Sequence, residues 1–160
     1  LGAPVNQVSQ AFEQAGQRAL AAGCLIIAAA GNNANRTGGN FGFVEQPANS
    51  PSIMAVAALD NQLRIANFSA RSSAQTGAGG KVDIAAPGVA VFSSVPVGNG
   101  THAFFNGTSM ATPHVAGIAA MWAQQSRRTG MALWTTIIQN ARRIAGDARD
   151  IGAGLVQAPQ

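Results

Sequence analysis

Residues 23–32 read Gly-Cys-Leu-Ile-Ile-Ala-Ala-Ala-Gly-Asn. From Cys24 to Ala30 the run is continuously apolar, which predicts a strand buried on both faces, as in parallel sheets. Upstream, Val8, Ala11, Phe12, Ala15, Ala19, Leu20 and Ala22 recur at spacings of three and four, predicting an amphipathic helix over residues 6–22 that Gly23 terminates. A helix feeding a buried strand implies βαβ architecture. Downstream, residues 31–42 hold four Asn and four Gly and read as a loop. Loops at the carboxyl ends of parallel strands are where sites are built.

The rest of the chain extends this pattern. Residues 53–58 (Ile-Met-Ala-Val-Ala-Ala) and 82–86 (Val-Asp-Ile-Ala-Ala) predict two more buried strands. Residues 89–95 and 102–105 flank Pro96-Val97-Gly98-Asn99-Gly100 and predict a hairpin. After Gly107 the pattern becomes helical and apolar almost all round, so that helix is expected to be central and buried. Residues 131–144 predict a last amphipathic helix, and residues 152–156 the start of a short terminal strand. The fold class expected is α/β, a doubly wound and mostly parallel sheet flanked by helices.

Composition excludes several classes. The chain has 160 residues and 16.2 kDa, with 47% hydrophobic and 10% charged residues, against about 25% charged in an average soluble domain. Low charge with high hydrophobicity excludes intrinsic disorder, and no apolar run approaches the roughly 20 residues needed to span a bilayer. The net charge is +4, yet the arginines are scattered and only Arg127-Arg128 and Arg142-Arg143 are paired. There is no basic stripe with interleaved aromatics, which excludes a nucleic-acid partner. Cys24, the single cysteine, is expected as a buried free thiol acting as a small hydrophobe. The chain opens Leu1-Gly2-Ala3-Pro4 with no charged-then-apolar leader, as expected of a mature, processed or truncated chain.

The stretch richest in chemistry is Asn106-Gly107-Thr108-Ser109-Met110-Ala111-Thr112-Pro113-His114-Val115-Ala116-Gly117. A serine at the start of a buried helix lies where backbone N–H groups and the helix dipole favour developing negative charge, which suits a nucleophile. Taken alone, Thr108 or Ser109 could equally be a helix cap, with Pro113 tolerated in the first turn. The segment is not the Gly-x-Ser-x-Gly elbow of α/β-hydrolases, because Met110 and Ala111 follow the serine. Residues 107–117 do resemble, over eleven consecutive positions, the catalytic-serine signature of the subtilisin-like serine proteases, the subtilases.

The resemblance continues along the chain. Ala28-Ala29-Ala30-Gly31-Asn32 is similar to the family strand carrying the oxyanion asparagine, which implies that role for Asn32; by local pattern alone Asn32 is one of several turn-forming asparagines. Gln46-Pro47-Ala48-Asn49-Ser50-Pro51, Ala66-Asn67-Phe68-Ser69, Asp83-Ile84-Ala85-Ala86-Pro87-Gly88 and Gly152-Ala153-Gly154-Leu155 match later family landmarks in order. The resemblance implies Ser109 and Asn32 as catalytic residues. It implies that Leu1 and Gly2 end a strand pairing with extended peptide substrate, and that Ala30 and Gly31 wall the primary specificity pocket. No cofactor is required for such chemistry. A structural calcium or monovalent cation is implied at Asp83, with carbonyls near Ala48, Ser50 and Ile53; hydrogen bonds alone could also satisfy this Asp.

Such a protease needs a histidine base and an aspartate that orients it, and the family motifs carrying them would lie upstream of Leu1. His114, five residues along the helix from Ser109, is rotated by about 140° and displaced by about 7.5 Å, so it cannot reach the hydroxyl. It is expected as a packed, hydrogen-bonded structural residue, and His102 as a surface residue. The expectation is therefore that residues 1–160 form the C-terminal portion of a single subtilase catalytic domain. Its partners would be a peptide or protein substrate and the N-terminal portion of the same domain, in a secreted or extracytoplasmic setting. Two rivals remain: a subtilase-fold scaffold or binding module without a complete triad, and a nucleotide-binding domain resting on Gly77-Ala78-Gly79-Gly80. The second is discounted because the glycines precede a strand, where a phosphate loop should follow one.

Overall fold

The computed structural model describes residues 5–74, 80–96, 98 and 100–160. Leu1, Gly2 and Gly77–Gly79 lie outside the described residues. Three strands form a parallel sheet in the order β1 (Ile27–Ala29), β2 (Met54–Leu59), β3 (Ile84–Pro87). Ile27 pairs with Met54 and Val56 with Ile84. β2 is central and buried at all six positions, as its unbroken apolar run predicts. Alternation along the strand divides the core. Met54, Val56 and Ala58 meet α2 (Thr108–Ser126) and α3 (Gly130–Gln139) on one face, while Ala55, Ala57 and Leu59 meet Val44, Ala48, Ala70 and Ile151 on the other. Ile151 closes α4 (Ala148–Ile151), which begins where the Asp147 side chain accepts from Arg149 N–H. The parallel sheet flanked by helices is the α/β fold expected.

The predicted hairpin is present as β4 (Val91–Ser94) against β5 (His102–Phe105), antiparallel, with Val91 opposite Phe105. The first helix, α1, covers Gln10–Ala21 and not residues 6–22. The carbonyls of Val5 and Gln7, which a helix would turn inward, accept instead from the Asn49 and Gln46 side-chain amides. α3 ends at Gln139 and not at residue 144, because Arg142 leaves to bridge Leu155. The predicted terminal strand reduces to single bridges of Leu155 with Ala85 and Arg142.

Three burial expectations are corrected. β1 is only half-buried, since it lies at the edge of the sheet and no described strand pairs with its outer side. Cys24, just before β1, is exposed for the same reason. α2 buries Thr108, Ala111, Val115 and Ala119 against the sheet, but its opposite face carries Ala116, Gly117, Ala120 and Met121 to the surface, Met121 being 48% exposed. A helix that is apolar all round is normally covered all round; among the described residues nothing covers this side.

Candidate active site

The site forms where β1 runs out and α2 begins. The β1 ladder continues one residue past the strand, with Ala30 N–H donating to Val56 O at 2.9 Å. The chain then turns through Gly31 at φ +122°, which places Asn32 beside the first turn of α2. Gly88 brings the β3 end against the same turn: Gly107 N–H donates to Gly88 O at 2.8 Å. A Cβ on Gly88 would lie 2.7 Å from Gly107 O and 2.6 Å from Ala58 Cβ, so only glycine permits this approach.

Thr108, fully buried, fixes Asn32. Its N–H and hydroxyl both donate to Asn32 Oδ1, at 2.9 and 3.0 Å, while the same hydroxyl accepts from Gly31 N–H at 3.2 Å. With Oδ1 held twice, the amide can turn only Nδ2 outward, and Nδ2 donates to no group among the described residues. Ser109 is exposed at the α2 N-terminus, and its hydroxyl likewise has no hydrogen bond among the described residues. A preorganised, unspent N–H donor and a free hydroxyl at a helix N-terminus can stabilise the oxyanion of a tetrahedral intermediate and take its acyl group as an ester.

Both residues open on a cavity of about 470 Å³ whose walls include Ala28, Ala29, Gly31, Glu45, Pro47 and Thr112. Gly31 lines it directly. The Ala30 side chain turns into the core beneath, and its carbonyl accepts from Glu45 N–H at 2.8 Å. A larger open cavity of about 650 Å³, between Arg36, Phe68, Val89 and Asn106, contains neither Ser109 nor Asn32. Volume therefore does not mark the site; its chemistry does.

Neither histidine joins Ser109. His114 Nδ1 lies 2.8 Å from Met110 O and must carry the proton there, since a carbonyl only accepts. The ring is hydrogen-bonded as expected, but exposed and not packed, being on the uncovered side of α2. His102 is on the surface, stacked on Phe92 with 4.9 Å between centroids.

Asp83 sits at the start of β3. Its Oδ2 accepts from Ala55 N–H at 2.7 Å, while Asp83 N–H donates to Ala55 O at 3.0 Å. Burial pushes the carboxyl up to about 6, against the lowering effects of the Ala55 bond and of Lys81. It faces a cavity of about 190 Å³ shared with Ala48, Ser50 and Ile53. Ser50 Oγ, buried, has no hydrogen-bond partner among the described residues. A carboxylate beside uncharged oxygens fits a hard cation held weakly, although no group of three or more His, Cys, Asp or Glu able to hold a metal occurs among the described residues.

Two participants escape a sequence reading. Thr108 lies inside the quoted motif, but its grip on Asn32 spans a separation of 76 residues. Glu45 is the only acidic residue between Glu13 and Asp60; that isolation is a signal, but without the fold it does not say which cavity the carboxylate enters.

The family model described as the Subtilase family matches residues 2–154. Alkaline elastase YaB of Bacillus sp. (strain YaB) is 45% identical over 150 residues, 94% of this chain and 36% of that protein. Subtilisin Savinase of Lederbergia lenta is 39% identical over 158 residues, 99% of this chain and 52% of that protein. Among solved structures, Sphericase superposes with a TM-score of 0.82 at 30% identity, covering 99% of this chain and 55% of that one. The chain thus spans from about a third to just over half of these relatives. With its signature segment at the head of α2, its parallel sheet and a family match along nearly all its length, the chain belongs to the subtilase family.

Proposed function

We propose that this chain supplies the nucleophile and the oxyanion hole of a serine endopeptidase that cleaves peptide bonds through an acyl-enzyme. What carries the reading is the Thr108–Asn32 clamp, which leaves the Asn32 amide unspent beside the free Ser109 hydroxyl. Ser109 Oγ attacks the scissile carbonyl. The oxygen turns negative and takes a hydrogen bond from Asn32 Nδ2, with the α2 N-terminus adding its partial positive charge. Collapse expels the amine and leaves the ester, which water then hydrolyses. The proton on Ser109 needs a base, and neither His102 nor His114 is placed to take it. In this reading residues 1–160 are the C-terminal portion of one catalytic domain, and an N-terminal portion brings the histidine and its orienting aspartate. The open edge of β1 and the bare face of α2 are where that portion would dock, and the chain by itself would be inactive. Extended peptide would lie along Leu1, Gly2, Ala30 and Gly31. The setting proposed is extracytoplasmic; among the described residues no helix is long and apolar enough to cross a membrane.

Asn32→Ala in the complete enzyme is expected to lower kcat by about 10²–10³, with KM nearly unchanged, a magnitude taken over from the subtilisin oxyanion-hole asparagine. Steady-state kinetics on a peptide anilide measure it. A raised KM at constant kcat would make Asn32 a ground-state contact and remove its oxyanion role.

A weakly held calcium or monovalent cation beside Asp83 is proposed on the same footing; it takes no part in the chemistry and would relieve the cost of burying that carboxylate. Adding calcium or sodium is then expected to raise the Tm of the wild-type protein and to leave that of Asp83→Asn unmoved. Equal shifts in both would take Asp83 out of any cation site.

A further inference from the structure

The cavity beside Ser109 has one ionisable side chain on its wall, Glu45. Asp60, Asp147 and Asp150 are each paired with arginine. Glu13 is held by Ser52 and Gln17, and Asp83 by Ala55 at the sheet's amino end. Glu45 forms no ion pair among the described residues. Its Oε1 accepts from Asn33 Nδ2 at 2.9 Å, and its Oε2 accepts from no described donor.

The carboxylate is held in place. Its own N–H is bonded to Ala30 O at 2.8 Å, and Asn33 is itself locked to Phe43 through N–H and carbonyl bonds of 3.0 Å each. The carboxyl lies flat on Gly31: a Cβ there would come within 2.8 Å of Glu45 Cγ and Cδ and 3.0 Å of Oε2. Glycine at 31 thus gives the carboxylate its seat, one residue from Asn32. The same cavity is lined by the apolar Ile26, Ile27, Ala28, Ala29 and Pro47, and on its polar side by Asn32, Thr108, Ser109 and Thr112. A cavity with apolar lining and one carboxylate that has no counter-charge among the described residues suits a side chain with a methylene stem and a cationic head.

We infer that Glu45 sets the specificity of this site, selecting peptides with Lys or Arg on the acyl side of the scissile bond. The inference rests on the proposed protease reading. The stem lies against the cavity's apolar lining, the ammonium or guanidinium meets Oε2, and the scissile carbonyl is thereby presented between Ser109 and Asn32. An acidic side chain in the same place is repelled.

The test compares kcat/KM of the complete enzyme on peptide anilides that differ only in Lys, Arg, Leu or Glu before the cleaved bond. Glu45→Gln keeps an acceptor for Asn33 and removes the charge. It is expected to lower the Lys-to-Leu and Arg-to-Leu ratios by about 10- to 100-fold, the size of one charge-assisted hydrogen bond. Glu45→Arg is expected to reverse the order, with the Glu peptide overtaking Lys. Each variant is also treated with a fluorophosphonate, which reads Ser109 independently of the cavity. Labelling at Ser109 with an unchanged Lys-to-Leu ratio overturns the role of Glu45 and leaves the protease reading standing. Absence of labelling in the wild-type enzyme overturns both.

Discussion

Ser109→Ala in the complete enzyme is expected to lower kcat by about 10⁶-fold, a magnitude carried over from subtilisin's own nucleophile, while KM stays within about threefold. The methyl of alanine fills the same space at the α2 N-terminus, and the hydroxyl it removes makes no hydrogen bond among the described residues. Folding should therefore not suffer. The Thr108–Asn32 clamp, with its bonds of 2.9 and 3.0 Å, remains in the variant, so residual catalysis from the oxyanion hole should persist above the uncatalysed rate. Kinetics normalised to folded protein concentration decide it: a loss under tenfold would mean that another group is the nucleophile.

The second large effect concerns stability. Asp150, 4% exposed, receives Arg71 through two bonds of 2.7 and 2.6 Å and Arg36 at 2.7 Å. Arg36 also donates to Ser69 O, and Arg71 stacks on Phe41 at 3.9 Å. One carboxylate thus ties together the loops after β1 and β2 and the α4 turn. Asp150→Asn keeps the shape but leaves two guanidinium groups without their counter-charge, and is expected to cost about 3–5 kcal/mol. For a chain of this length that is about 10 °C in Tm.

Burial raises the Asp150 carboxyl, but bonds from Arg71 and Arg36 outweigh it and hold the group below its ordinary value. The sign follows. A depressed carboxyl contributes stability that is fully present above about pH 4, the range of the unfolded group, and is lost as pH falls through the lower folded value. Thermal unfolding at pH 7 and near pH 3 should show the wild-type advantage shrinking toward acid. A variant within 0.5 kcal/mol of wild type at pH 7 would place the cluster among pairs that contribute little, as exposed pairs do at about 0–1 kcal/mol.

Much of this architecture is legible in the chain because it depends on short-range pattern. The unbroken apolar run of β2 reads as a strand covered on both faces and is one, and the hairpin announces itself by its turn residues. Ser109 and Asn32 are singled out by motif, and both line one cavity. What escapes depends on partners distant in sequence. The start of α1 is displaced by amides of Gln46 and Asn49, about 40 residues away. Asp150 meets Arg71 across 79 residues, and no local rule pairs them. β1 and α2 read as fully buried because apolar composition records how much covering an element needs, not whether the described residues provide it. Glu45 shows the reverse limit: a lone acid between Glu13 and Asp60 is conspicuous, but only the fold reveals that it lines the Ser109 cavity.

The reactivity of Ser109 is most directly measured by treating the complete protein, and separately these 160 residues alone, with a fluorophosphonate and mapping the modified peptide. The expected result is a single adduct on Ser109 in the complete protein and none in the chain alone, because a hydroxyl without a base within hydrogen-bond reach is a poor nucleophile. No adduct in the complete protein, or an adduct that persists in Ser109→Ala, would contradict the nucleophile assignment and favour a scaffold without a working triad; an adduct in the chain alone would mean that a base acts from within it.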